Sequence, residues 1–273
     1  MRIFFFLSLL ALGVGYWAWS QPHTVHGKTV EEWFPNSQTS ALAEAACEGR
    51  ARRVAELVEQ GANINELSPN NESTPLRWAL VCENVKGVRA LLEAGADPNL
   101  RMAEEQTAVT ITAGALKSDL LKALLEYGGD PNAAPENTYR RALSSALGKA
   151  FQTNDWTNFD MLIEYGADIN AANINGNTIA EQTAASRRYC KIHELIDIGY
   201  TNRLPSLYHS ALIAGENYAP GVSNDCRLRL LDRLEELMEP GAYEDYIQAD
   251  LRLNQRGLEL ARRRRENLTK TAP

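Results

Sequence analysis

The sequence predicts an all-α solenoid of about six helix-turn-helix repeats, and three observations carry that expectation. Glycines recur at Gly61, Gly95, Gly128, Gly166, Gly199 and Gly241, and most of the intervals are 33 or 34 residues. The residues three, four and seven places before each glycine are apolar in all six copies, from Val54, Leu57 and Val58 before Gly61 to Leu234, Leu237 and Met238 before Gly241. Two places before each glycine stands an acid: Glu59, Glu93, Glu126, Glu164, Asp197 and Glu239. Those offsets put one apolar stripe on a helix whose opposite face stays wet, and a single helix pair cannot bury the stripe alone, so neighbouring copies must stack. Length then sets the number of copies rather than the size of one core, and 273 residues at 44% hydrophobic composition supply ample material.

One copy shows the local logic. Thr74 can cap the amides of a short helix, with Pro75 in its first turn, where a missing N–H costs nothing. A second helix ends at Gly95, because glycine closes a helix in the left-handed conformation without penalty, and Ala96-Asp97-Pro98-Asn99 leads the chain away extended. This stretch, Thr74-Pro75-Leu76-Arg77-Trp78-Ala79 followed by Val88 through Asn99, resembles one ankyrin repeat, and the period is the ankyrin period. The resemblance implies an ankyrin-repeat solenoid with short β-hairpin fingers and a C-terminal capping helix.

In chain order, residues 3–19 carry no charge and end in Tyr16, Trp17 and Trp19. Such a run is an export signal or a membrane anchor: its length and aromatic end suit an uncleaved anchor, whereas Ala18-Trp19-Ser20 has the small-x-small pattern of a cleavage site. In either case the repeats would lie outside the membrane. Residues 21–37 read as a linker, in which Val30, Trp33 and Phe34 can cap the first repeat. That repeat opens at Ser40, the third at Thr107, and the fourth at Arg141, which leaves four extra residues around Phe151. Asn173-Ile174-Asn175-Gly176 signals the finger before the fifth, which opens at Thr178. The sixth opens at Ser206, and residues 216–225 interrupt it before its second helix. Ile247, Leu251, Asn254, Leu258 and Ala261 share one helical face, read as the C-terminal cap with Arg252, Arg256, Glu259 and Arg262 outside. The expected division is thus 1–20 signal peptide or anchor, 21–37 linker, 38–242 repeat domain, and 243–273 capping helix and basic tail.

No catalytic, metal or cofactor constellation emerges. Cys190 and His193 lie one helical turn apart, but a structural zinc needs two further ligands, and ordinary helix residues are the plainer reading. Phosphate loops, His-Glu-x-x-His pairs and nucleophile elbows are absent from the sequence. His209 sits where ankyrin repeats often carry a structural histidine. A net charge of −7 argues against nucleic acid, and the run Arg262 to Arg265 reads as a solvated helix end. Export would place the four cysteines in an oxidising compartment. Cys47 and Cys82 fall seven and eight residues after their repeat openings, which brings them near each other on adjacent first helices, and Cys190 with Cys226 form a second candidate pair across the fifth and sixth repeats. Four reduced buried thiols stand as the equal alternative.

By resemblance, function is protein binding through finger tips and the concave face of the first helices, without catalysis. The matching positions include Arg77 and Trp78, Ile111, Ser145 and Glu181, with Arg101 and Met102 at finger tips. Trp78 beside Arg77 is the leading anchor, because aromatic and arginine side chains dominate interface energetics; packing as a core residue under the adjacent finger is the competing reading for it. The expected partner is another protein docked over repeats two to four, with membrane contact only through the N-terminal segment. The expected setting is the bacterial periplasm or cell envelope. An immunity protein that neutralises a toxin or lipase delivered there is one form of this reading, and a stress-protective scaffold for an envelope enzyme is another. An enzyme with its catalytic residues in the insertions is the opposing class.

Overall fold

The computed structural model describes residues 24, 27–135, 144–172, 177–214, 222–249 and 255–271, so the apolar run at residues 3–19, the finger at 173–176 and part of the 216–225 segment lie outside the described residues. No described helix is long and apolar enough to cross a membrane. The chain divides into two units, residues 1–133 with 155–161, and residues 134–154 with 162–273.

The first unit opens with a single turn, α1 (Val30–Trp33), followed by three helix pairs: α2 (Ser37–Cys47) with α3 (Ala51–Glu59), α4 (Pro75–Val81) with α5 (Val85–Glu93), and α6 (Ala108–Ala113) with α7 (Ser118–Glu126). Next in the chain come α8 (Ala146–Gln152) and α9 (Trp156–Glu164). The second unit continues with α10 (Ile179–Ala185), α11 (Tyr189–Asp197), α12 (Leu204–Ala214), α13 (Val222–Leu237), α14 (Ala242–Ala249) and α15 (Gln255–Thr271).

Five of the inner helices start where a side chain can satisfy free amides. Thr74, Thr107, Ser145 and Thr178 accept from the backbone N–H three residues on, and Asn36 does the same for Gln38. The outer helices stop at the recurring glycines, all six of which take a positive φ, 99° at Gly95 for example. There Gly95 N–H donates to Leu92 and Ala96 N–H donates to Leu91, which satisfies carbonyls the helix end would otherwise strand. The apolar stripe is buried as its spacing requires: Val54, Val88, Leu91, Leu121, Leu124, Leu162 and Ile192 have no accessible surface. The sixth copy departs from this. Leu234 is buried as its spacing requires, but Leu237 is exposed and Leu230 and Leu231, a turn earlier, are buried, in a helix of 16 residues where the other outer helices have nine.

Two devices lock repeats together. Asparagines four places after a closing glycine reach to the next copy: Asp97 N–H donates to Asn65 at 2.9 Å, Asp130 N–H to Asn99 at 2.7 Å, and Thr201 N–H to Asn170 at 2.9 Å. Close backbone approach is the other, since a Cβ on Gly87 would fall 1.7 Å from the Ala46 carbonyl oxygen. Only glycine fits there.

Several local expectations are corrected. The fingers form turns rather than β-hairpins: the described finger residues hold one isolated antiparallel bridge, Ala172 with Thr178. In the fourth repeat α8 starts at the Ser145 cap, 21 residues before Gly166 as Thr74 is before Gly95, and the opening expected at Arg141 lies outside the described residues. Phe151, the expected place of the extra residues, is a core residue of α8. The first helix starts one turn before Ser40, at the Asn36 cap, whose side chain accepts from Gln38 N–H. Residues 222–225 belong to α13 rather than to an insertion. The C-terminal cap is two helices, α14 and α15, that pack against α12. His209 on α12 shares a hydrogen bond of 2.9 Å with the Tyr243 hydroxyl on α14, and Gly257 of α15 lies so close that a Cβ there would meet both side chains.

Candidate partner-binding surface

The two open inner helices of the first unit, α4 and α6, flank a groove of about 270 Å³ lined by Arg77, Leu80 and Val81 on one side and Ile111, Thr112 and Ala115 on the other. Lys117 Nζ sits 2.6 Å from a Glu83 carboxylate oxygen and forms a charged rim. Val81 is 47% exposed. Leu116, between Ala115 and Lys117, is 65% exposed at a φ of 55°. Both its exposure and its left-handed backbone are costly for leucine, the latter by about 1–2 kcal/mol. The Arg77 guanidinium donates to the Glu72 carbonyl, and burial lowers its pKa from the usual arginine value.

The equivalent groove one repeat earlier is filled. Ala43 and Cys47 stand three and seven residues after Ser40, as Arg77 and Val81 do after Thr74; Trp78 and Cys82 stand four and eight after Thr74, as Ile111 and Ala115 do after Thr107. Ala43, Cys47, Trp78 and Cys82 are packed in one cluster with Val30, Trp33 and Phe34 from α1 and the residue after it. Lys28 lies over the Trp33 ring at 5.0 Å. The Cys47 and Cys82 sulfurs are bonded, with Cα atoms 5.3 Å apart.

Trp78 is therefore a core residue with 1% of its surface accessible, not an exposed anchor. Its offset from the cap does point it to the inner face; the N-terminal turn covers that face. Met102 is also buried, its N–H held by the Gln106 carbonyl, because an apolar side chain at a finger tip turns inward when the turn permits. Glu181 is buried as the reciprocal partner of the Thr178 cap, accepting from Thr178 N–H at 2.9 Å, from Arg203 at 3.1 Å and from the Ser206 hydroxyl. Ser145 is a helix cap. Of the proposed binding residues, Arg77 and Ile111 meet at the open groove, and Arg101 is exposed within 3.6 Å of Glu105.

In the second unit Cys190 and Cys226 are bonded, with Cα atoms 5.0 Å apart, and His193 Nε2 lies 3.0 Å from the Cys226 carbonyl. Both members of the Cys190 and His193 pair thus have protein partners. Among the described residues no group of three or more His, Cys, Asp or Glu is arranged to hold a metal ion. What sequence reasoning missed is Val81, Ala115 and Leu116. The signal was available as a shared offset from the Thr74 and Thr107 caps.

Residues 24–102 match the family model for ankyrin repeats (3 copies). The chain is 34% identical over 93 residues to an ankyrin repeat-containing protein of Treponema pallidum (strain Nichols), covering 34% of this chain and 31% of that one. It is 30% identical over 156 residues to ankyrin repeat and SOCS box protein 6 of Homo sapiens, covering 56% and 37%. It is also 30% identical over 166 residues to the mitochondrial disaggregase of Bos taurus, covering 61% and 24%. The chain thus spans between 24% and 37% of the length of each of these relatives. Stacked helix pairs and closing glycines give the described residues the fold of an all-α ankyrin-type solenoid, and residues 24–102 carry the matched ankyrin repeats.

Proposed function

We propose that this chain is a non-catalytic protein-binding module whose partner docks in the groove between α4 and α6, exposed on the outer side of a bacterial membrane. The filled neighbouring groove is the observation that carries the docking site. At four equivalent backbone positions one groove takes Val30, Trp33 and Phe34 of the chain itself, and the next leaves Val81 exposed beside Ile111. A groove of this construction accepts a short helical turn bearing one aromatic and one aliphatic side chain. The partner supplies such a turn, and Leu116 contributes apolar area at the rim. The uncharged run at residues 3–19 and the two bridges support an oxidising compartment outside the membrane, since such bonds are reduced in the cytosol.

Two roles fit the same surface and differ in what binds. Neutralising a delivered toxin or lipase makes the chain an immunity protein; holding an envelope enzyme makes it a scaffold. Burying a charge in a hydrophobic contact costs several kcal/mol, so Val81→Asp and Ile111→Asp should each weaken binding at least about a hundredfold. The test captures partners on the full chain and on both variants, identifies by mass spectrometry what the variants lose, and titrates that protein against all three. Loss of binding with an unchanged thermal melt supports the groove. Equal affinities for all three chains exclude it.

A further inference from the structure

The two disulfides lie in opposite electrostatic surroundings, and from this we infer that Cys190–Cys226 is a thiol-exchange site for a dithiol reductant, whereas Cys47–Cys82 is a permanent staple. Cys190 is the second residue of α11 and is exposed, so an incoming thiolate can reach its sulfur. Its partner Cys226 is buried near the start of α13, and the Arg229 guanidinium donates to the Cys226 sulfur at 3.4 Å. Arg229 is itself solvent-exposed, and Asp225, which directly precedes Cys226, is exposed and has no described contact with that sulfur. A guanidinium at that position and a helix N-terminus under Cys190 both favour thiolate over thiol.

The other bridge has the reverse setting. Cys47 is the last residue of α2 and Cys82 caps the end of α4, so both sulfurs sit at negative helix termini. Glu48 and Glu83 follow them directly but are paired with Arg50 and Lys117, so the helix termini and the apolar cover, not free carboxylates, set this bridge apart. Val30, Trp33, Phe34 and Trp78 bury Cys47 in apolar surface, with Cys82 half-buried against the same cluster, which disfavours a charged sulfur and hinders approach.

The exchange follows from this asymmetry. A thiolate of the dithiol attacks Cys190 Sγ, forming a mixed disulfide and breaking the bond to Cys226. The electron pair leaves on Cys226 Sγ, where Arg229 stabilises it. The second thiol of the reductant then attacks its own mixed disulfide and frees Cys190. The reductant becomes a disulfide and the bridge becomes two thiols, with two electrons and two protons transferred. A better leaving thiolate and an open target sulfur both raise the rate. Reduction releases the covalent tie between α11 and α13, the joint between the fifth and sixth repeats, and leaves the first unit stapled.

Dithiothreitol on the folded full chain is the direct probe. Samples quenched over time with N-ethylmaleimide and read by peptide mass spectrometry should show Cys190 and Cys226 alkylated at least about tenfold faster than Cys47 and Cys82. Arg229→Gln should slow the first reaction about threefold or more and leave the second unchanged, and Arg229→Lys should restore it. Equal rates, the reverse order, or an Arg229→Gln protein that reacts as the parent does would each overturn the assignment. Slowing that Arg229→Lys fails to rescue would overturn the role given to the positive charge.

Discussion

Trp78 shows how one side chain's role is settled by residues far from it in the chain. Its offset from the Thr74 cap is the offset of Ile111 from Thr107, so the repeat alone directs both to the inner face. Val30, Trp33 and Phe34 then cover Trp78 and leave Ile111 at the groove. Removing a buried indole loses its transfer energy and leaves a cavity beside the Cys47–Cys82 bridge, so Trp78→Ala should cost about 3–5 kcal/mol in urea unfolding. Trp33→Ala should cost a similar amount, because the two rings belong to one cluster. A Trp78→Ala protein as stable as the parent would mean that α1 does not cover this position in solution. At this scale the sequence shows which face a residue occupies and not what covers that face. Glu181 is a different case. Thr178-x-x-Glu181 is a capping-box pattern readable from the sequence, and a carboxylate committed to its own helix start is unavailable to a partner.

At the level of helices and turns, the period and the closing glycines fix the outer helices, whereas the inner turns hide their geometry. Glu83, Leu116, Asn154 and Arg187 all take the left-handed conformation nine residues after their caps, and Gly49 does so nine residues after Ser40 in the first repeat, whose cap is Asn36. Only the glycine announces such a turn by its residue type, so the other four were legible only by counting from a cap, and Arg141 in place of Ser145 broke that count for Asn154. The C-terminal helices were legible as apolar periodicity but not as two elements. Their anchor is His209, which burial holds below the ordinary histidine pKa. Tyr243 and Tyr246 face it, with Gly257 pressed against the ring, and the only described hydrogen bond to Nδ1 is the neutral Tyr243 hydroxyl, whose own pKa burial raises. The sign follows. The unfolded chain takes up a proton near pH 6.5 and the folded chain resists it, so this contribution to stability is whole above about pH 6.5 and declines as pH falls from there toward the lower folded value. His209→Gln removes the titrating group. Urea midpoints at pH 7.5 and 5.5 should therefore fall more for the parent than for the variant, and an equal fall in both would show that His209 charges freely in the fold.

Across the whole molecule, a stack of repeats has no central core to distribute a local loss, and its stability is close to a sum of copies and nearest-neighbour contacts. The two bridges make this testable, because each closes a loop of similar length within one unit, with sequence separations of 35 and 36 residues. Chain-entropy reasoning assigns about 3–4 kcal/mol to a bridge over such a loop. Replacing Cys47 and Cys82 together by alanine should therefore speed hydrogen exchange in α2 through α5 by two to three orders of magnitude, roughly what that energy implies if exchange follows local opening. Amides of α10 through α13 should keep the parent's protection. Replacing Cys190 and Cys226 should give the mirror image, with loss centred on α11 and α13 and the first unit unchanged. The α1 cluster sharpens the contrast, since Trp33 and Trp78 rest directly on the first bridge and the second has no aromatic cluster of this kind described around it. If either double variant loses protection uniformly from α2 to α13, the chain opens as one cooperative body and the nearest-neighbour account of its stability fails.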